Sequence, residues 1–181
     1  YSLFLTSTEA VLSLKKPGVR KGPQITQISP IAFHSAPSVK SVYEKSEEGA
    51  VLRMRLVGTK PAPHVTGLDE LPGKSNYFIG NDPAKWRTNV PTYAKVRYEN
   101  VYSGIDLVYY GNQRQLEYDF VVAPGADPRA IRLAIDGGER LRIDGQGDLV
   151  LEAEGSEIRL HQPVVYQEIR GVRQRIGGNF V

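Results

Sequence analysis

The sequence predicts an all-β protein, an antiparallel β-sandwich built of consecutive hairpins. Three observations support this fold class. Apolar residues recur with a period of two, glycine-containing turn motifs separate the apolar runs, and no long segment shows the 3.6-residue period of an amphipathic helix. A chain of 181 residues with 40% hydrophobic residues can bury a core of its own, so we expect a single domain over residues 1–181.

Strict alternation of apolar and polar residues predicts half-buried strands in four segments. These segments are residues 50–57, 115–122, 131–135 and 149–153. In the second segment, Tyr118 and Phe120 share the face that is expected to meet the core, whereas Glu117 and Asp119 occupy the opposite face. The two ends of the chain are predicted as further strands, at residues 1–5 and 178–181.

Short turns and one-turn helices are predicted between the strands. The predicted hairpin turns are residues 111–114, 144–147, 155–156 and 169–171, where glycine supplies the positive φ that such turns need. Helices are expected to be at most one turn long. The two candidates are Asp82 followed by Pro83, and Asp127 followed by Pro128, in which the carboxylate caps a turn that begins with proline.

The N-terminal half of the chain is predicted to contain two long loops. Residues 34–49 form a polar mixture of serine, lysine and glutamate. Residues 58–75 contain three prolines and three glycines, which are typical of loops. Both segments are therefore expected to connect strands rather than to form them.

Composition excludes several classes of function. The formal net charge is +3, from 23 basic and 20 acidic residues of interspersed sign, which is typical of solvated strand faces rather than of a nucleic-acid-binding stripe. No apolar run approaches the roughly 20 residues that span a bilayer. The chain has no cysteine, which removes disulfides and thiolate nucleophiles, and its three histidines lack zinc-site spacing. No nucleophile elbow or phosphate-binding loop occurs.

Four segments of the sequence carry a resemblance to a known family: NYFIGNDPAKW at 76–86, VRYENVYSGIDLVYYGN at 96–112, QLEYDFVVAPGADP at 115–128 and HQPVVYQ at 161–167. Together they resemble the N-terminal domain of large bacterial exported proteins that carry SBBP β-propeller repeats. The resemblance implies export, an extracellular or cell-surface location, and a β-rich domain of unknown function joined to others. It supplies no catalytic residue. Because the chain begins with Tyr1 rather than methionine, we expect a fragment or a processed product.

Three carboxylates form the first candidate site. Glu117 and Asp119 project from one face of a predicted strand, and Asp106 on the preceding strand of the hairpin is expected to lie near them. Such a cluster suits calcium, or an acid and nucleophile pair for glycoside hydrolysis. The alternative is a polar strand face paired across the sheet with basic side chains, for which the candidates are Lys95, Arg97 and Arg114.

Tyr77, Asn81, Asp82 and Trp86 form the second candidate site. An aromatic platform can stack on a sugar ring while an amide and a carboxylate bind its hydroxyls, so these residues suit a polysaccharide ligand. In the alternative interpretation, Trp86 anchors a loop over the core and the polar residues cap the short turn.

A high density of tyrosine is the third feature, and two interpretations remain open for it. The tyrosines are Tyr93, Tyr98, Tyr102, Tyr109, Tyr110 and Tyr118. They either form a docking face for another domain or copy, or pack within the sheet. The function favoured by the sequence is a non-enzymatic extracellular scaffold or interaction module that self-associates through strand edges. A carbohydrate-binding module is the alternative, and a glycoside-active enzyme is the third hypothesis.

Overall fold

The computed structural model confirms the predicted all-β fold. It describes residues 2–6, 9–13, 31–32, 51–60, 62–112, 115–153 and 156–181. Within these ranges the strands are β1 (Ser2–Leu5), β2 (Glu9–Ser13), β3 (Ile31–Ala32), β4 (Val51–Leu56), β5 (His64–Tyr77), β6 (Arg87–Tyr102), β7 (Ile105–Asn112), β8 (Gln115–Val122), β9 (Leu133–Asp136), β10 (Arg140–Ile143), β11 (Leu149–Ala153), β12 (Ser156–Leu160), β13 (Val165–Ile169) and β14 (Val172–Ile176). No helix in the described ranges is long and apolar enough to cross a membrane.

Two antiparallel sheets make the main sandwich. The first has the strand order β1-β2-β4-β9. The second is built around β6, which pairs with β5 along one edge and with β3 and β7 along the other, and β8 follows β7. Since Tyr93 of β6 pairs with both Ile31 and Glu70, β3 and β5 lie on opposite sides of β6.

The main core lies between these two sheets. Its buried residues are Ala10 of β2 and Val96, Tyr98, Val101, Tyr102, Ile105, Leu107 and Tyr109 of β6 and β7, with Met54 and Leu56 of β4 packed against them. Alternate residues of β7 are buried, as a period of two requires. Because Tyr98, Tyr102 and Tyr109 are buried here, the packing interpretation applies to these three tyrosines.

A smaller core joins the first sheet to a three-stranded sheet, whose order is β10-β11-β12. Leu52 of β4 packs against Leu151 and Ala153 of β11, with Leu12, Ile135 and Ile158 at the margin. The remaining strands, β13 and β14, pair only with each other in the described structure. They form a hairpin in which every residue except Val165 is exposed.

The predicted short turns are largely confirmed. Single 3-10 turns lie at Pro83–Lys85 and Pro128–Ala130, and the carboxylates of Asp82 and Asp127 cap them. A turn at Arg170 and Gly171, both with positive φ, joins β13 to β14. In the turn at 144–147, the Gly147 N–H donates to the Asp144 carbonyl at 3.0 Å. Residues 113–114 and 155, in the other two predicted turns, lie outside the described residues.

The prediction of a long loop over residues 58–75 is wrong, because β5 begins at His64 and continues beyond this segment to Tyr77. Proline and glycine are tolerated here because β5 pairs with β6 along only one edge in the described structure. The register shifts between Glu70 and Lys74, which places Pro72 in an irregular stretch. The other predicted loop, residues 34–49, lies outside the described residues.

The two predicted terminal strands have different outcomes. β1 confirms the strand predicted at residues 1–5, and it pairs with β2 from Ser2 to Leu5. The strand predicted at residues 178–181 is wrong, since this segment has no strand structure. The last strand of the chain is β14, and the segment after it returns to Gln162, whose side-chain amide donates to Asn179 Oδ1 at 2.7 Å.

Candidate functional site

A two-stranded arm extends from the second sheet. β7 pairs with β6 only from Lys95 onward, and β3 only at Thr92 and Tyr93. The preceding residues of β6 therefore pair with β5 alone within the described structure. We call residues 74–91 the arm, and residues 78–86, between its two strands, the arm tip.

The arm tip exposes an aromatic pair. Phe78 and Trp86 meet edge to face with ring centroids 5.2 Å apart. The Trp86 indole N–H donates to the Gly80 carbonyl at 3.1 Å, which fixes the ring although 39% of the residue remains exposed. Phe78 and Ile79 are 61% and 74% exposed. The tip therefore presents an apolar surface to solvent, which makes it a candidate binding site.

The four predicted sugar-binding residues all lie at or beside this tip. Tyr77 is half-buried at the end of β5, whereas Asn81, Asp82 and Trp86 are exposed. Asp82 is already engaged, because its carboxylate accepts from the Ala84 N–H at 3.1 Å and lies 3.5 Å from Lys85 Nζ. The capping alternative thus describes Asp82, whereas Trp86 lies at an exposed tip and not in the core. Sugar binding by this group stays a prediction.

Sequence reasoning missed Phe78 and Ile79. They follow directly after Tyr77, the last paired residue of β5, and form an apolar pair without alternation, so the sequence gives no signal for their exposure. The arm below them is held in register by Asn76, whose side chain accepts from the Asn89 N–H at 2.8 Å. Asn89 itself has a φ of 57°, which asparagine tolerates better than most residues.

The predicted acidic site lies on the outer face of the second sheet. Glu117 and Asp119 of β8 are directly opposite Tyr110 and Val108 of β7, and Asp106 shares their face. The Tyr110 hydroxyl donates to Asp119 Oδ2 at 3.0 Å. Partial burial raises the pKa of Tyr110 above its ordinary value, and the two neighbouring carboxylates raise it further. The β8 end of this face therefore places two carboxylates, Glu117 and Asp119, beside the Tyr110 hydroxyl.

Asp106 is held by partners of its own. Its Oδ1 accepts from the Asn100 N–H at 2.7 Å, and Arg97 Nε donates to its Oδ2 at 3.1 Å. Burial opposes ionisation of Asp106, but these hydrogen bonds and the Arg97 charge outweigh it and lower its pKa. The pairing with Arg97 is one of the cross-sheet contacts that the alternative interpretation predicts.

The described ranges contain no group of three or more histidine and carboxylate side chains arranged to hold a metal ion. Calcium binding by Asp106, Glu117 and Asp119, and glycoside hydrolysis by the latter two, stay predictions. A small cavity of about 20 Å³ lies elsewhere, between the two sheets, where Glu9, Met54, Tyr98 and Tyr109 contribute to its lining. It has room for about one water molecule and none for a sugar.

Comparison with known proteins assigns the chain to a family but identifies no reaction. No curated protein and no solved structure shows significant similarity to it. A family model described as a domain of unknown function, DUF7948, matches residues 1–181. This match confirms that the chain is a domain of unknown function, and it assigns no residue a role. Because the match covers the whole sequence, the chain belongs to the DUF7948 family.

Proposed function

We propose that this domain is a non-enzymatic interaction module that self-associates through strand edges. It works outside the cell, as part of a bacterial surface protein that carries SBBP repeats elsewhere. The resemblance of residues 76–86, 96–112 and 115–128 to such proteins supports this setting. The observation that carries the proposal is a hairpin, β13–β14, whose apolar residues remain exposed.

The hairpin needs a surface to pack against. Ile169, Val172 and Ile176 are 45%, 60% and 45% exposed. A two-stranded hairpin on its own is marginally stable in water, and exposed apolar clusters are typical of interaction sites. In the described structure no other strand pairs with either outer edge of this hairpin. An additional strand or sheet would supply the missing contacts.

β8 offers a matching open edge. It ends the second sheet, and no described strand pairs with its outer side. Its eight residues contain no proline or glycine, which interrupt strand pairing, and no lysine; its two charged residues are Glu117 and Asp119. Strand addition to such an edge is a recurrent mode of protein recognition.

Sedimentation of the purified domain tests the proposal. Sedimentation-velocity runs from about 1 µM to about 1 mM are expected to show a reversible increase in mass with concentration, because edge pairing of this size is weak. Diluting the concentrated sample and sedimenting it again distinguishes reversible association from irreversible aggregation. A chain that stays monomeric over the whole range would contradict self-association.

A second candidate function, carbohydrate binding, is favoured by the aromatic pair at the arm tip. Phe78 and Trp86 are ordered and exposed, and Asn81 lies beside them in the sequence. A polysaccharide that binds the folded domain is expected to raise its melting temperature. Trp86→Ala should abolish that shift, whereas Tyr166→Ala, which removes an exposed aromatic outside the arm, should not. A panel without any shift would count against this function.

A further inference from the structure

The outer edge of β8 has two chemically different faces. Glu117 and Asp119 lie on the solvent face, where the raised pKa of Tyr110 reflects burial and the two neighbouring carboxylates. Leu116, Tyr118 and Phe120 lie on the opposite face, at the margin of the main core. A strand that extends this sheet would need basic residues on one face and apolar residues on the other.

β14 has this pattern in four of its five residues, the exception being Gln174. Arg173 and Arg175 share one face of the hairpin, where the Arg173 guanidinium lies 4.5 Å from the centre of the Tyr166 ring. Val172, Gln174 and Ile176 occupy the other face. Since Glu168 is the only acidic residue of the hairpin, against three arginines, its charged face is basic.

We propose that β14 of one copy pairs, antiparallel, with the outer edge of β8 in a second copy of this chain. Setting Arg173 opposite Asp119 fixes the whole register. Arg175 then faces Glu117 on the solvent side. On the core side, Val172 meets Phe120, Gln174 meets Tyr118 and Ile176 meets Leu116. Four of the five positions therefore match, as two charged pairs on the solvent side and two apolar pairs on the core side, whereas Gln174 is polar. Every strand pair in the described sheets is also antiparallel.

This pairing specifies the proposed self-association and rests on it. Each copy carries one donor strand, β14, and one acceptor edge, β8, which are different surfaces. Such a contact either closes reciprocally into a dimer or ring or continues as a filament. The apolar face of the hairpin would then continue the core-side face of β8, so the hairpin would extend the second sheet.

Charge exchange tests the pairing. R173E/R175E and E117R/D119R are each expected to weaken self-association about tenfold or more, because both turn attractive cross-strand pairs into repulsive ones. Mixing the two variants should restore association, since one supplies an acidic donor and the other a basic acceptor. The control R132E/R140E makes the same change of net charge as R173E/R175E, at exposed residues outside β8 and the hairpin, and should associate as the parent chain does.

Cysteine pairs test the register, because the natural chain has no cysteine. D119C on one copy and R173C on another should form a mixed disulfide under mild oxidation, whereas D119C with R170C should not. A cross-link within one D119C/R173C chain, without a dimer, would overturn the proposal in favour of intramolecular packing. Self-association that survives R173E/R175E would overturn this pairing and leave the proposed function standing. A strictly monomeric parent chain would overturn both.

Discussion

Gly67 shows how a single residue shapes the edge of the second sheet. A Cβ atom at this position would lie 2.3 Å from Cγ of Tyr93, the β6 residue that pairs with both β3 and β5. The absent side chain therefore lets the tyrosine ring cross over the β5 backbone. Such close approach of a side chain to backbone is a recurrent reason for glycine inside a strand.

Gly67→Ala is expected to destabilise the domain by about 1–3 kcal/mol, since the Tyr93 ring must move to admit the methyl group. Urea unfolding followed by circular dichroism measures the change. Gly73→Ala is the matched control, because a Cβ there meets nothing within 4 Å. In a Tyr93→Ala background, Gly67→Ala should lower the free energy of unfolding by less than it does in the parent chain, because the ring is absent. Equal losses in the two backgrounds would show that the ring is not the obstacle.

Asp148 is the buried polar residue that joins the three-stranded sheet to the segment before β13. Its side chain is 8% exposed. It accepts hydrogen bonds from the Gln162 N–H at 2.8 Å, through Oδ1, and pairs through Oδ2 with His161 Nδ1 at 3.0 Å. The Gln162 N–H lowers the pKa of Asp148 despite the opposing effect of burial, and His161 and Arg159 add to this.

Acid should therefore weaken the domain through Asp148. A carboxylate with a lowered folded-state pKa stabilises the protein above its unfolded pKa of about 4, and this contribution is lost as the pH falls through the folded value. Asp148→Asn is expected to be less stable at pH 7 and to lose less further stability between pH 4 and pH 2. Gln162→Ala keeps the backbone donor and should retain the acid sensitivity of the parent, as measured by urea unfolding at each pH.

At the scale of elements, β7 and the β13–β14 hairpin differ in strand pairing and in burial. β7 pairs with strands on both sides, and its alternate residues are buried. The hairpin has one internal pairing and exposed residues on both faces. Elements with few buried contacts open with little free energy, whereas core strands open only when the whole domain unfolds.

Amide hydrogen exchange is expected to separate these two elements. In dilute solution, amides of Val172–Ile176 should exchange at least about 100-fold faster than amides of Ile105–Asn112. Raising the protein concentration should slow exchange in β14 and β8 alone if these strands pair between copies. Protection of the hairpin equal to that of β7 at every concentration would show that it is stable without a partner.

The same elements show what the sequence can predict. Alternation and turn glycines identify β4 and β8, because each strand has one face on a core and the signal is local. They also locate β11, although Val150 on its second face is fully buried and not exposed as alternation predicts. The sequence does not predict β5, because its prolines and glycines are typical of loops. Only its pairing with β6 makes it a strand. The exposure of Phe78 and Ile79 depends equally on where β7 and β3 stop pairing, which is a long-range property.

For the whole molecule, a row of aromatic rings connects β6, β7 and β8. Tyr98 meets Tyr109 at 5.9 Å, Tyr109 meets Tyr118 at 6.0 Å, and Tyr118 meets Phe120 at 5.9 Å between ring centroids. The Tyr98 hydroxyl donates to the Thr6 carbonyl at 2.7 Å, which links this row to the first sheet. We therefore expect the folded sandwich to require these phenols in their protonated form.

Alkali should therefore unfold the domain cooperatively. Burial raises the pKa of Tyr118 to about 12 and raises those of Tyr98 and Tyr109 further. A group whose folded pKa is raised contributes stability below its unfolded pKa, about 10 for tyrosine, and loses it as the pH rises towards the folded value. Each of these tyrosines can add up to about 1.4 kcal/mol per pH unit to the decline in stability above pH 10.

Tyr118→Phe isolates one part of this effect. The variant should lose stability less steeply between pH 10 and pH 12, because one buried phenol no longer titrates. Urea unfolding at each pH gives the slope, and absorbance at 295 nm follows phenolate formation. Phe120→Leu, which disturbs the neighbouring ring without removing a titrating group, should lower stability at every pH and leave the slope unchanged. Equal slopes for the parent chain and Tyr118→Phe would mean that the Tyr118 phenol ionises without unfolding the sandwich.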